Sequence, residues 1–213
     1  MKKYELTAEF IEKWGKKLFR IKALISFGSV EAGELGGYVE KEDNLAQDGD
    51  AWVCDDAWVY GNARVYDDAW VYGDARVYGN AEVYGDARVY GNARVCDDAW
   101  VYGNAWVCGN ARVCDDAWVY GNAWVCGNAD YLLIGRIGSR FSFTTFFKNK
   151  DKGITVSCGC FLGTIAEFRA KVTDTHGNNK HAKIYNLAAD MAELQILGEE
   201  HFDKLNTNKS EPF

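Results

Sequence analysis

Proline and histidine are scarce in this chain, and where they are missing excludes more than how often. One proline in 213 residues leaves no proline-rich loop and nothing resembling a long linker. No stretch of eighteen apolar residues occurs, and the start, Met1-Lys2-Lys3-Tyr4-Glu5-Leu6, carries charge where an export signal has an apolar run. The chain therefore reads as soluble, unexported and cytoplasmic, with no membrane partner. A disulfide spacing is also missing. Of seven cysteines, five (Cys54, Cys96, Cys108, Cys114 and Cys126) stand where other copies of a repeat carry tyrosine, which suits thiols in a reducing compartment. Positive charge is short in the middle: residues 51–128 hold ten Asp and Glu82 against five Arg, a net −6 out of −7 for the whole chain. Binding phosphates needs a basic face, so nucleic acid is not an expected partner of this segment.

What is present is a period of six. From Ala51 the units run AWVCDD, AWVYGN, ARVYDD, AWVYGD and onward, thirteen without an insertion, until Ala129-Asp130-Tyr131 breaks the pattern. Ala, a variable residue and Val form a short strand, so alternation sends Ala and Val to one side and the variable residue to the other. Gly-Asn, Gly-Asp or Asp-Asp follows, and these residues tolerate the left-handed backbone of a sharp corner. Three such units close a triangular coil of eighteen residues, with coils stacked about 4.8 Å apart.

Folding the sequence by eighteen names the outward columns. One face carries Trp52, Trp70, Arg88, Trp106 and Trp124; the next Trp58, Arg76, Arg94 and Arg112; the third Arg64, Glu82, Trp100 and Trp118, with Tyr66, Tyr84, Tyr102 and Tyr120 beside it. Such columns stabilise a solenoid by ring stacking and Arg-on-ring contacts. They are also candidate binding faces, since a flat surface rich in tryptophan suits an oligomer interface or a carbohydrate platform.

The spacing of an aliphatic residue four positions before a small one, Val53 then Ala57 and Val59 then Ala63, resembles the bacterial transferase hexapeptide signature over a little more than a third of the chain. That resemblance implies the left-handed parallel β-helix, which period six alone does not establish. It also implies a homo-oligomer, with a trimer the common arrangement. The whole chain resembles a group of hexapeptide-repeat proteins carried by phages, prophages and gut bacteria. The matching stretches are Leu35-Gly36-Gly37-Tyr38-Val39-Glu40, Ile137-Gly138-Ser139-Arg140, Ser157-Cys158-Gly159-Cys160-Phe161 and Thr175-His176-Gly177. This second resemblance implies an architecture and a mobile-element setting, and no established reaction.

The expected fold is mainly β: a triangular left-handed parallel β-helix between two caps. Residues 1–50 read as an N-terminal β cap and degenerate first coil, with a hairpin turning at Trp14-Gly15-Lys16 and a coil segment from Gly36 to Asp50. Residues 51–129 are the repeat. Residues 130–197 read as a small antiparallel sheet and two helices, the first opened by a Thr164/Glu167 capping box and stopped at Gly177, the second running from about Asn179 with Ile184, Leu187, Met191 and Leu194 on its apolar stripe. Residues 198–213 read as a polar tail.

Enzymes built on this solenoid use a histidine on the coils as base, or three histidines to hold zinc. Residues 51–128 contain no histidine and no inserted loop to wall off a substrate, so catalysis by the solenoid is not expected, nor is a cofactor. Two alternatives remain in the C-terminal segment. His176 or His181 could serve an acyltransferase-like reaction, and Cys158, Cys160, His176 and His181 could form a zinc set, although buried thiols and helix-end histidines are the plainer reading. Asp97-Asp98 and Asp115-Asp116 fall on one corner of successive coils, where either a bound Ca²⁺ or simple turn preference accounts for them. The leading expectation is a binding or scaffold protein acting through the solenoid faces. The acyltransferase-like enzyme and a carbohydrate-binding or structural virion protein are the alternatives.

Overall fold

A computed structural model describes residues 2–199, so the predicted polar tail lies almost wholly outside the described residues. Residues 1–122 with 126–128 form one compact unit, and 123–125 with residue 129 onward form a second. The chain is mainly β, with a solenoid of about five turns of eighteen residues followed by a sheet and two helices.

The first unit starts with a hairpin of β1 (Tyr4–Lys13) and β2 (Lys16–Ala23). Its two turn residues, Trp14 and Gly15, are both left-handed, at φ 51° and 73°, which matches the twist of the flanking strands. β2 pairs antiparallel with β3 (Leu35–Val39), and β3 pairs in parallel with the Trp58–Val59 strand, so the hairpin extends one face of the solenoid. Thirteen two-residue strands follow, β4 (Trp52–Val53) to β16 (Trp124–Val125), one to each repeat, the last of them grouped with the second unit. Register advances by eighteen: Trp58, Arg76, Arg94 and Arg112 pair in turn, as do Arg64, Glu82, Trp100 and Trp118, and Trp52, Trp70, Arg88 and Trp106. The Ala and Val of every repeat are sealed inside. The degenerate first coil is present too. Tyr38 pairs with Trp58 and Leu45 bridges Val65, each twenty residues on, whereas Trp52 pairs with Trp70, so this coil carries two extra residues in the corner between Leu45 and Trp52.

The corners show why glycine and aspartate alternate. Asp55, Asp67, Asp97 and Asp115 take φ of 54° to 61°, the same left-handed region that glycine fills in other repeats. The Asp55 carboxylate accepts the Gly73 N–H one coil on (3.0 Å), and Asn80, fed by Asn62 (3.2 Å), donates to Asp98 (3.0 Å). The carboxylates considered for Ca²⁺ therefore have turn duties: Asp97 and Asp115 make the corner and Asp98 continues an amide ladder.

Rungs run from an N–H of one coil to a carbonyl of the next, as from Trp70 to Ala87 (2.9 Å) and Tyr72 to Val89 (3.0 Å). The first coil's carbonyls consequently face no earlier coil and need donors from elsewhere. Residues ahead of β3 supply them. The Tyr4 hydroxyl donates to the carbonyls of Glu42 (2.8 Å) and Leu45 (2.7 Å), and Lys3 Nζ to those of Asp48, Gly49 and Ala51 (3.0–3.1 Å). Burial lowers the Lys3 pKa to about 8, against the pull of Asp48, Asp50 and Asp68. Near the far end, where N–H groups lack a next coil, Arg112 N–H donates to the Asn128 side chain (2.9 Å).

In the second unit β17 (Tyr131–Ile137), β18 (Ser142–Lys148), β19 (Ile154–Cys158) and β20 (Phe161–Thr164) form an antiparallel sheet in chain order. α1 (Ile165–His176) opens with the predicted Thr164/Glu167 capping box, and α2 (Lys180–Leu197) is capped by the Asn179 side chain. Phe146, Val156, Phe168, Val172, Tyr185 and Ala189 lie in its core. The apolar stripe predicted for α2 faces the wrong way. Leu187 and Met191 are 63% and 57% exposed, with Ile184 and Leu194 also outward, while Ala182, Tyr185, Ala188, Ala189, Ala192 and Ile196 are buried. Alanine wins the inner face because short side chains let the helix approach closely, and periodicity weighted by bulk misses this.

One charged knot ties α1 to α2. Arg169 donates to Asp190 and to Glu193, each at 2.7 Å, and the Glu193 side chain is only 8% exposed. Arg169→Met leaves that carboxylate without its cation and is expected to destabilise the second unit by about 2 kcal/mol in urea unfolding. Lys171→Met, which breaks an exposed pair with Asp174, is the control. Equal losses in the two variants would remove the argument.

Candidate functional site

The solenoid brings the predicted columns together. Tyr66, Tyr84, Tyr102 and Tyr120 stack at centroid distances of 4.7, 4.8 and 4.6 Å, nearly parallel, and Trp100 stacks on Trp118 at 5.2 Å. Arg76 lies over the Trp58 ring (4.3 Å) and Arg88 over Trp106 (5.8 Å), so part of each column is engaged in holding the coils. The Tyr66 hydroxyl donates to Glu82 (2.8 Å), and burial together with that carboxylate pushes its pKa up. Arg94 and Arg112 remain exposed, and Trp118 is 39% exposed. Trp52 departs from the expectation. The repeat makes it the first residue of an outward column, but it is wholly buried, because Tyr4, Phe27 and Gly36 of the N-terminal segment close over it. Trp124 clusters with the second unit.

The cysteines depart further. Cys96 is bonded to Cys114 and Cys108 to Cys126, with Cα atoms 4.6 and 4.3 Å apart. Each pair is separated by eighteen residues, one coil, so the position that stacks tyrosine on tyrosine elsewhere joins sulfur to sulfur here. These cysteines are not free thiols replacing tyrosine, as the repeat pattern suggests, because the coil period is itself a disulfide spacing. The remaining repeat cysteine, Cys54, is a thiol, and burial beside Asp55 and Glu34 pushes its pKa up to about 12. Among the described residues, Cys96, Asp97 and Cys114 are the one group of three potential metal donors within 4.8 Å of one another. Their sulfurs are bonded to each other, which makes the group a staple and not a pair of thiolate ligands.

The second unit holds a cleft of about 470 Å³ that the periodic reading did not point to. The β17–β18 turn contributes Ser139 and Arg140, and the tight β19–β20 turn contributes Gly159 and Cys160. α1 sends Phe168, Lys171, Val172, Thr175 and His176 into it, and α2 sends Tyr185. Three stretches noted for their resemblance to mobile-element proteins thus meet at one place. Cys160 sits in the hairpin turn, not on a strand with Cys158, so strand alternation does not align the two thiols. Cys158, Cys160 and His176 all line the cleft and His181 does not, and the four do not converge as a metal donor set. Thr144 donates to the Cys158 sulfur (3.2 Å) and the His176 ring stacks on Tyr185 (5.7 Å). Burial, reinforced by the hydrogen-bonded Cys158, pushes the Tyr185 phenol up to about 12 while Arg140 pulls it down. Gly138 is required here: at φ +73°, any side chain on it would overlap the Tyr185 hydroxyl.

No described helix is long and apolar enough to cross a membrane. No curated protein is similar enough to match the chain. Seven stretches, six of them overlapping across residues 57–109 and the seventh at 111–127, together about a third of the chain, match the YdcK β-solenoid repeat. By repeat pattern and by fold alike, the chain carries a β-solenoid repeat similar to the one named for YdcK.

Proposed function

We propose that this is a binding or scaffold protein that does no chemistry on its coils, and that its solenoid associates with further copies of itself through the face bearing Trp100 and Trp118. The carrying observation is the Trp100–Trp118 stack beside the four-tyrosine column, a flat aromatic strip on a rigid support. A rigid solenoid loses little conformational freedom on docking, and aromatic side chains bring large contact area with few torsions. The acidic balance of the coils, with arginines ordered in a column at Arg76, Arg94 and Arg112, favours a protein partner over nucleic acid. The resemblance to hexapeptide-repeat proteins adds a trimer as the favoured order. The resemblance to mobile-element proteins adds a setting, in which the assembled faces sequester or inhibit a host defence component.

Replacing both Trp100 and Trp118 with serine should convert the assembly to monomers in native mass spectrometry and sedimentation, with the β-rich circular dichroism spectrum retained. An unchanged stoichiometry in the double variant would sink the assignment of this face.

A further inference from the structure

The cleft of the second unit combines charge of one sign with an aromatic lining. Arg140 and Lys171 border it, and no aspartate or glutamate lines it, in a chain whose net charge is −7. No carboxylate pairs with Arg140 among the described residues. Lys171 pairs only with Asp174, and both side chains are largely exposed, so an incoming anion displaces a weak interaction. Phe161, Phe168, Val172 and Tyr185 give the cleft an apolar, mostly aromatic lining. An unpaired arginine and a weakly paired lysine bordering an aromatic lining match a ligand of complementary build, an anionic head on a flat apolar body. The volume, about 470 Å³, is that of a small-molecule site.

We propose that this cleft binds a small aryl anion, an aromatic ring carrying a phosphate or carboxylate, with Arg140 and Lys171 on the anionic group and the ring against Phe161 and Phe168. The arginine fork suits the two oxygens that either head group presents, and lysine adds a point charge. All of its lining residues belong to the second unit, and the proposal does not rest on self-association of the solenoid.

Calorimetric titration of the full chain at low salt tests it with four probes: phenyl phosphate, benzoate, inorganic phosphate and benzyl alcohol. At least one aryl anion should bind with one-to-one stoichiometry and roughly tenfold or more tighter than both inorganic phosphate and the neutral alcohol. Preference between phenyl phosphate and benzoate identifies the head group. The Arg140→Gln/Lys171→Gln double variant should weaken that binding by about tenfold or more, while Arg94→Gln on the solenoid leaves it unchanged. Both cleft cations are surface residues, and a thermal melt and the oligomeric state of the double variant should match the parent protein. Absence of binding by either aryl anion at millimolar concentration, equal binding of benzyl alcohol, or full affinity in the correctly folded double variant each overturns the proposal.

Discussion

Trp52→Ala should cost the solenoid about 3–5 kcal/mol of unfolding free energy, the largest effect expected from any single substitution here. Trp52 is 0% exposed, with Phe27 edge-on at 5.4 Å and Tyr4 at 6.4 Å, and a Cβ on Gly36 would come within 2.7 Å of its ring. Removing the indole opens a cavity under the segment that supplies Lys3 and Tyr4 to the first coil's carbonyls. Because a solenoid is held by nearest-neighbour coils, damage at one end spreads inward. Hydrogen exchange should therefore quicken first in residues 38–70 and least in 94–128. Trp70→Ala, one coil on in the same column but partly open to solvent, should cost about 1 kcal/mol. The Trp52 indole N–H has no acceptor among the described residues, so Trp52→Phe should recover most of the loss. Comparable destabilisation by Trp52→Ala and Trp70→Ala would contradict the capped arrangement.

Reduction of the two coil disulfides should be the second large effect. Each closes a loop of eighteen residues, for which the chain-entropy relation gives about 3 kcal/mol. The double variant Cys96→Ser/Cys114→Ser should melt about 6–12 °C lower than the oxidised parent. A reductant should lower the parent's melting temperature by more than it lowers that of this variant. Mass spectrometry after alkylation without reduction should label Cys54, Cys158 and Cys160 alone once the protein is denatured. Identical melting of the parent with and without reductant, or alkylation of Cys96, would remove the staples.

Much of this molecule is legible in its sequence because the repeat is a local code. In a two-residue strand the direction of each side chain follows from its parity, so Ala and Val must point in and the residue between them out. A period of eighteen then dictates which outward residues meet, and the tyrosine and tryptophan stacks follow without further information. The Trp14-Gly15 turn and the Thr164/Glu167 cap are equally local, each a matter of one turn's backbone angles and hydrogen bonds. Handedness is not a local property of period six, and it rests on the resemblance to hexapeptide proteins.

Where an outcome depended on residues far along the chain, sequence periodicity misled or was silent. It placed Trp52 at the surface, since the repeat gives no sign that a hairpin nearly fifty residues earlier covers the first coil. It put the bulky residues of α2 against the sheet, whereas the closely packed sheet and α1 accept alanine. It treated cysteine as a stand-in for tyrosine, though the same eighteen-residue stacking brings two sulfurs together. The cleft was the least visible feature, since Arg140, Cys160, Lys171 and Tyr185 come from two turns and two helices with no shared period. The sequence by itself determined the coil, its inside and outside and its vertical neighbours, because these depend on backbone parity and a constant repeat. Only the tertiary structure decided which coil end is covered, which face of α2 is buried and where the cations gather, because these depend on how non-repeating segments exclude water from one another.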